Sequence, residues 1–283
     1  MNHFLEHYLT NKITPVKQDL SNISKHFHTR TMLYQKLGLS PLTFQNAKVL
    51  EIGPGGGYNP LVTQSFGLSQ YDLIEPNEYA ITDLNNIFQE YNVDTTNITI
   101  HHTMLENFKT ENLYDIIICE GMIPGLSNKD EVLSKIDEMT HENSIVIITC
   151  IDEVAFLFEI LRYYIAQQLI HENLSFEEKL DIFEMTFTSH LATLKGMTRF
   201  KRDWCADSLF GLMHFNYNFS FKEAVEFYDN KYKFYNATPD LFYDFRWHKE
   251  LPEDNNKYNK YFLEQFNQQR HNLLLYSHHY EKR

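Results

Sequence analysis

Lys48-Val49-Leu50-Glu51-Ile52-Gly53-Pro54-Gly55-Gly56-Gly57-Tyr58-Asn59 decides the fold. Val49, Leu50 and Ile52 form a short apolar run of strand type, which ends in glycines at 53, 55, 56 and 57. The whole chain has ten glycines, so four within five residues mark a backbone that must stay bare. Glycine reaches positive φ without steric cost and lets a ligand come close to the main chain. A tight turn needs one or two glycines; four point to a bound group.

Two nucleotide-binding loops fail at this position. G-x-G-x-x-G, counted from Gly53 and Gly55, requires glycine where Tyr58 stands. A P-loop requires Lys-Ser/Thr after its last glycine, where the chain has Tyr58-Asn59. What remains is acidic-x-Gly-x-Gly-x-Gly, with Glu51 two residues ahead of Gly53. A carboxylate there suits a ligand carrying an ammonium group and repels a pyrophosphate.

From Lys48 onward, apolar strand runs alternate with amphipathic helices, which predicts a parallel doubly wound α/β sheet. Strands are expected at 48–52, 70–75, 98–102, 114–120 and 144–150, with helices between them. Residues 1–45 read as a helical lead-in, with Pro15 starting a second helix and Phe27, Met32, Leu33, Leu37 and Leu39 on its apolar face. Three spacings resemble capping boxes: Asn128 with Glu131, Ser175 with Glu178, and Ser220 with Glu223. Residues 152–219 contain no convincing strand. Two strand-like runs, 232–236 and 241–247, flank Ala237-Thr238-Pro239-Asp240 and predict a hairpin. Four regions follow: lead-in 1–45, core 46–151, helical insertion 152–219, and the end of the core sheet with a terminal helix, 220–283.

The glycine pattern resembles motif I of the class I S-adenosylmethionine (SAM)-dependent methyltransferases. Over residues 46–150 and 220–250 the element order fits the same family. The resemblance implies a Rossmann-like seven-stranded doubly wound sheet, with the helical insertion as a cap between strands 5 and 6. It implies that Gly53, Gly55 and Gly57, with Asn59 beside them, carry the methionyl part of SAM, and that Glu51 meets its amino group. Glu75, followed by Pro76, ends the second strand, where a carboxylate accepts from both ribose hydroxyls. Met104 and Leu105 stand where the family flanks adenine. Glu120 and Gly121 follow the fourth strand and face cofactor and substrate. That loop lacks the Asn/Asp-Pro-Pro-Tyr of DNA-modifying relatives. Arg30 and Tyr34 are either solvated helix surface or cofactor contacts from a lead-in folded over the site.

The acceptor is less legible. Lys195, Arg199, Lys201 and Arg202 are either a solvated charge run or, with Trp204 as a stacking surface, an anion pocket. His190 is either one ordinary histidine among fourteen or the general base; Glu120 is a second base candidate. A small, anionic or carbohydrate-linked acceptor methylated on oxygen is the favoured expectation. N-methylation of a small amine, such as a phosphorylated amino alcohol, is the alternative within the class. A catalytically silent SAM-binding sensor or partner subunit is the alternative outside it, and an NAD enzyme is disfavoured by Tyr58.

Composition narrows the partners. Lys plus Arg is 25 and Asp plus Glu is 38, a net charge of −13 over 283 residues, which disfavours nucleic acid and anionic membranes. No apolar run approaches the ~20 residues of a membrane span. The first residues lack the basic and apolar regions of a secretory signal. Cys119, Cys150 and Cys205 have no paired spacing, so a reducing, cytoplasmic setting is expected. His3 with His7, and His278 with His279, have no carboxylate or cysteine at ligand spacing, so no metal is expected. The sequence leaves the oligomeric state open.

Overall fold

The computed structural model describes residues 3–194, 196–210, 219–228 and 231–274. Five parallel strands form one sheet: β1 (Lys48–Ile52), β2 (Gln70–Ile74), β3 (Ile98–His101), β4 (Tyr114–Cys119) and β5 (Thr140–Ile148). Their order is β3-β2-β1-β4-β5. Leu50 pairs with Asp72 on one side and Ile117 on the other, so the strand order reverses at β1. A crevice at the carboxyl ends of β1 and β4 follows from that reversal.

The period-two alternation of each strand feeds two cores. Leu50, Ile52, Ile117 and Cys119 face α6 (Lys129–Glu138) and α10 (Phe221–Tyr228). Val49, Tyr71, Leu73 and Ile116 face α2 (Ile23–Lys36), α3 (Pro41–Phe44), α4 (Tyr58–Gln64) and α5 (Glu78–Glu90). Burying each such side chain contributes roughly 1.5–3 kcal/mol. A third core is separate. Leu180, Phe183 and Phe187 of α8 (Phe176–Leu191) pack on Ala166 of α7 (Leu157–Leu169) and on Cys205 and Ala206 of α9 (Lys201–Ser208). α1 (His3–Asn11) joins this helical unit, where His7 Nε2 donates to the Ala206 carbonyl at 3.2 Å.

Two of the three capping boxes form. Ser175 and Glu178 bond reciprocally at the start of α8, and Ser220 and Glu223 do so ahead of α10. Asn128 precedes α6 but caps nothing: its amide donates to Glu106 and Glu131. Pro15 does not start a helix. Val16 has φ of +55°, outside the helical region, and α2 begins after Asn22, whose side chain accepts from Lys25 N–H. β5 starts earlier than expected because a bulge near Tyr114 lets Thr140 pair with it.

The sheet has five strands among the described residues, not seven, and the hairpin of 232–247 is absent. The segment forms no strand ladder: its backbone bonds to side chains, those of α11 (Asn255–Gln269) and its own Asn236, Asp240 and Asp244. Asn259 accepts from Phe234 N–H at 2.8 Å and donates to the Tyr232 carbonyl at 2.8 Å, while Gln265 accepts from Tyr243 N–H. Phe234 and Phe242 pack on each other and on Phe262 and Phe221. Among the described residues no helix is long and apolar enough to cross a membrane.

Asn259 is therefore the cross-link that replaces a strand ladder, and it is 2 % exposed. Asn259→Ala leaves two half-buried backbone groups without their partner and is expected to cost roughly 1–3 kcal/mol, read as a lowered urea midpoint; an unchanged midpoint refutes the assignment.

Candidate functional site

The glycine loop leaves β1 with Gly53, Gly55 and Gly57 at φ of +70°, +58° and +85°. These values lie in the left-handed region that favours glycine. Gly57 also serves packing: a Cβ there would meet the Leu84 backbone of α5 at 2.9 Å. The loop is buckled onto β2 by Glu75, whose carboxylate accepts from Gly55 N–H at 3.0 Å and from Asn77 N–H at 2.9 Å. Burial pushes the Glu75 carboxyl up to about 7, against the lowering effect of those two bonds.

A strap of residues 12–19 crosses above the loop. A Cβ on Gly56 would meet the Thr14 methyl at 2.8 Å, and one on Gly55 the Pro15 carbonyl at 3.3 Å. The loop side holds the strap through Asn77, which donates to the Ile13 carbonyl at 3.0 Å. The helical unit holds its other end: Asp207 accepts from Val16 N–H at 3.0 Å, and Arg199 Nε donates to the Lys17 carbonyl at 3.1 Å.

A buried polar chain lies beside the loop. Arg30 of α2 is 7 % exposed and grips both Glu120 oxygens, at 2.7 and 2.6 Å. It also donates to the Tyr34 hydroxyl at 3.0 Å, which bonds Thr63 of α4 at 3.1 Å. Glu51 shares the face of Val49 and accepts a hydrogen bond from the Tyr71 hydroxyl. Burial raises the Glu51 carboxyl to about 7, although Arg30 and Tyr71 pull it down. Burial opposes the charge of Arg30, yet Tyr34, Glu120 and Glu51 together hold its pKa above the usual value. Arg30 Nε is buried without a partner. Gly121 has φ of +72° and open space where a Cβ would stand.

The structure thus brings Arg30, Tyr34, Glu51 and Glu120 together, and joins Glu75 to the glycines. Arg30 and Tyr34, which interrupt the apolar pattern of α2, are its buried face. Asn59 and Pro76 are half-buried at the loop margins, and the Pro76 carbonyl accepts from His102 Nε2 at 3.2 Å. Met104 is half-buried, whereas Leu105 is taken up by the core. Sequence reasoning missed Thr63, Tyr71, Asn77, Thr14 and Asp207. His26, also missed, stands four residues before Arg30 on the same helix face, and its Nε2 donates to the Tyr58 carbonyl at 2.8 Å.

The acceptor candidates lie in the helical unit and are paired within it. Arg199 forms a buried ion pair with Asp207. Arg202 is held by Glu177, Asp181 and Glu184 at 2.6, 2.6 and 3.0 Å. His190 is exposed, and its Nε2 accepts from Arg162 Nε at 2.9 Å. Trp204 is half-buried, 6.0 Å from the same arginine. Lys195 lies outside the described residues, as do His278 and His279. Elsewhere, a cleft of about 1340 Å³ runs along β5, touching Glu120 and lined by Leu33, Leu37, Val146, Ile148, Phe221 and Phe234.

No family model matches the chain. It is 24 % identical over 178 residues to the ubiquinone biosynthesis O-methyltransferase of Rickettsia typhi, across 58 % of this chain and 69 % of that protein. The protein of the same name from Rickettsia akari is 23 % identical over 202 residues, 67 % of this chain and 72 % of its own. The chain is thus similar, at low identity, to proteins named O-methyltransferases. Among solved structures, PKMT2 from Rickettsia typhi in complex with AdoHcy matches the chain with a TM-score of 0.46 and 15 % identity, over 71 % of this chain and 41 % of that one. The chain therefore spans less than half the length of that solved protein.

Two outcomes follow from the charges. Asp207 loses its buried counter-ion in Arg199→Met, expected to cost roughly 3–5 kcal/mol, whereas Arg202→Met, at a surface cluster, is expected to cost about 1 kcal/mol or less; equal costs by urea unfolding refute the distinction. Glu51 and Glu75 hold their protons to about 7 in the folded chain, against the 4.5 of an ordinary glutamate. The unfolded chain binds fewer protons in that window, so their contribution is full below pH 4.5 and lost as pH rises through about 7. Glu51→Gln is expected to flatten the decline in stability between those pH values by up to about 3 kcal/mol; an unaltered pH profile counts against the buried acid.

Proposed function

We propose that the chain transfers a methyl group from SAM to an oxygen of a small acceptor. The observation that carries this reading is the convergence, at one end of the sheet, of a bare glycine loop, two buried carboxyls and the Arg30–Glu120 pair. SAM supplies an electrophilic methyl group on a sulfonium, attached to an amino-acid tail and an adenosine. The residues fit such a molecule. Glu51 and Glu120 suit the ammonium of the tail, and Arg30, with its buried unbonded Nε, suits the carboxylate. Tyr34 orients that guanidinium. Gly53, Gly55, Gly57 and Asn59 would line the tail, with Gly121 opposite. Glu75, beside Pro76, has further lone pairs for ribose hydroxyls, and Met104 offers an apolar face to adenine. Each carboxyl that meets a positive or donating partner is stabilised in its ionised form, so binding below pH 7 would release protons.

Methyl transfer is a displacement that needs alignment, and a hydroxyl acceptor also needs a base. Glu120 stands both in the polar chain and on the cleft along β5, and as a base it would first have to free one oxygen from Arg30. His190 would first have to leave Arg162. The helical unit α7–α9 acts in this reading as the cap, fastened by the strap. The names of the Rickettsia relatives support oxygen as the acceptor atom. The apolar lining of the cleft favours an acceptor with an apolar body over the anionic one expected from Arg199 and Arg202. Three thiols left free are compatible with a reducing, cytoplasmic setting.

Calorimetry with SAM, S-adenosylhomocysteine and NAD tests the cofactor. SAM is expected to bind, and Gly55→Val to weaken it about tenfold or more with circular dichroism unchanged. Absent SAM binding, or NAD binding instead, overturns the reading. Mass spectrometry after incubation with phenols, sugars and amines tests the acceptor; SAM binding with no product across the panel favours a sensor over an enzyme.

A further inference from the structure

α7 follows the carboxyl end of β5 and uses one face, Arg162 and Ala166, to pack into the helical unit. Among the described residues its other face is bare. Leu157, Phe158, Leu161, Tyr164, Ile165 and Leu169 are each 37 to 63 % exposed. At 100° per residue these six span one continuous stripe along the full helix. The remaining exposed residue on that face is Gln168, which is uncharged. The charged residues of α7, Glu159 and Arg162, lie off the stripe toward the packed face and neutralise each other at 2.8 Å.

We propose that this face is where two copies of the chain meet, through antiparallel packing of α7 on α7 about a twofold axis. In that arrangement Leu161 and Ile165 of the two copies form the centre, and Leu157 of one copy meets Leu169 of the other. Area and charge argue for a second copy. The stripe presents roughly 600 Å² of apolar side chain, the most that monomeric proteins commonly leave bare. Two such faces together bury roughly 1,200 Å², the lower bound for a specific interface. The face is self-complementary, as a twofold contact requires. It is also an uncharged strip on a chain of net charge −13, so two copies can meet there without apposing like charges. The long-range repulsion between two such chains is screened by salt while the contact itself is not weakened by it. Association through this face must therefore strengthen as salt is added.

Sedimentation velocity on the full chain, across a micromolar concentration series and at low and high salt, tests this. The expected result is a monomer–dimer equilibrium that shifts toward dimer with salt. Ile165→Glu sets two like charges across the axis and is expected to lower the association constant about tenfold or more, with circular dichroism unchanged. Met185→Glu, at a residue of α8 that is 79 % exposed and outside the stripe, is expected to leave it unchanged. A wild-type chain that stays monomeric throughout, a dimer that salt dissociates, or a dimer that survives Ile165→Glu overturns the proposal.

Discussion

A buried guanidinium organises the centre of this molecule. Moving a charge out of water costs several kcal/mol unless partners replace the water. Arg30 is almost fully enclosed, so its position dictates what surrounds it. Glu120 must come to the end of β4, Tyr34 must follow one helical turn later, and Thr63 must receive the Tyr34 hydroxyl. These residues belong to α2, α4 and the β4 loop, elements that the sheet alone would not register against one another. The glycine loop sits inside that frame, which is why its backbone can hold three left-handed residues in one arrangement.

The helical unit follows the same rule with different groups. Arg199 faces inward to Asp207, and Arg202 is held at the surface by Glu177, Asp181 and Glu184, so both arginines act as cross-links within the unit. The geometry also explains the separation of the cores. α8 buries Phe183 and Phe187 against α7 and α9, while the strands bury their side chains against the helices of the sheet.

Some of this was legible in the sequence. Four glycines in a glycine-poor chain are a local signal, and so is the alternation that made Glu51 and Glu75 strand-end acids. Arg30 and Tyr34 were half legible: their spacing puts them on one helix face, but polarity argued for water. Their true partner, Glu120, is 90 residues away, and a distant ion pair leaves no local mark. Arg199 and Arg202 misled for the same reason. The residues of 232–247 were misread because turn-forming residues and extended backbone are common to hairpins and to loops. Only the amide of Asn259, far along the chain, decides between them.

The strap over the glycine loop has a mechanical consequence. Residues 12–19 are fixed at one end by Asn77, beside the loop, and at the other by Asp207 and Arg199, in the helical unit. Thr14 and Pro15 lie against the bare glycines between these anchors. A molecule entering at the loop must lift them, and a short tether with both ends held cannot be lifted without pulling on its anchors. Entry at the loop and displacement of the helical unit thus form one coordinate.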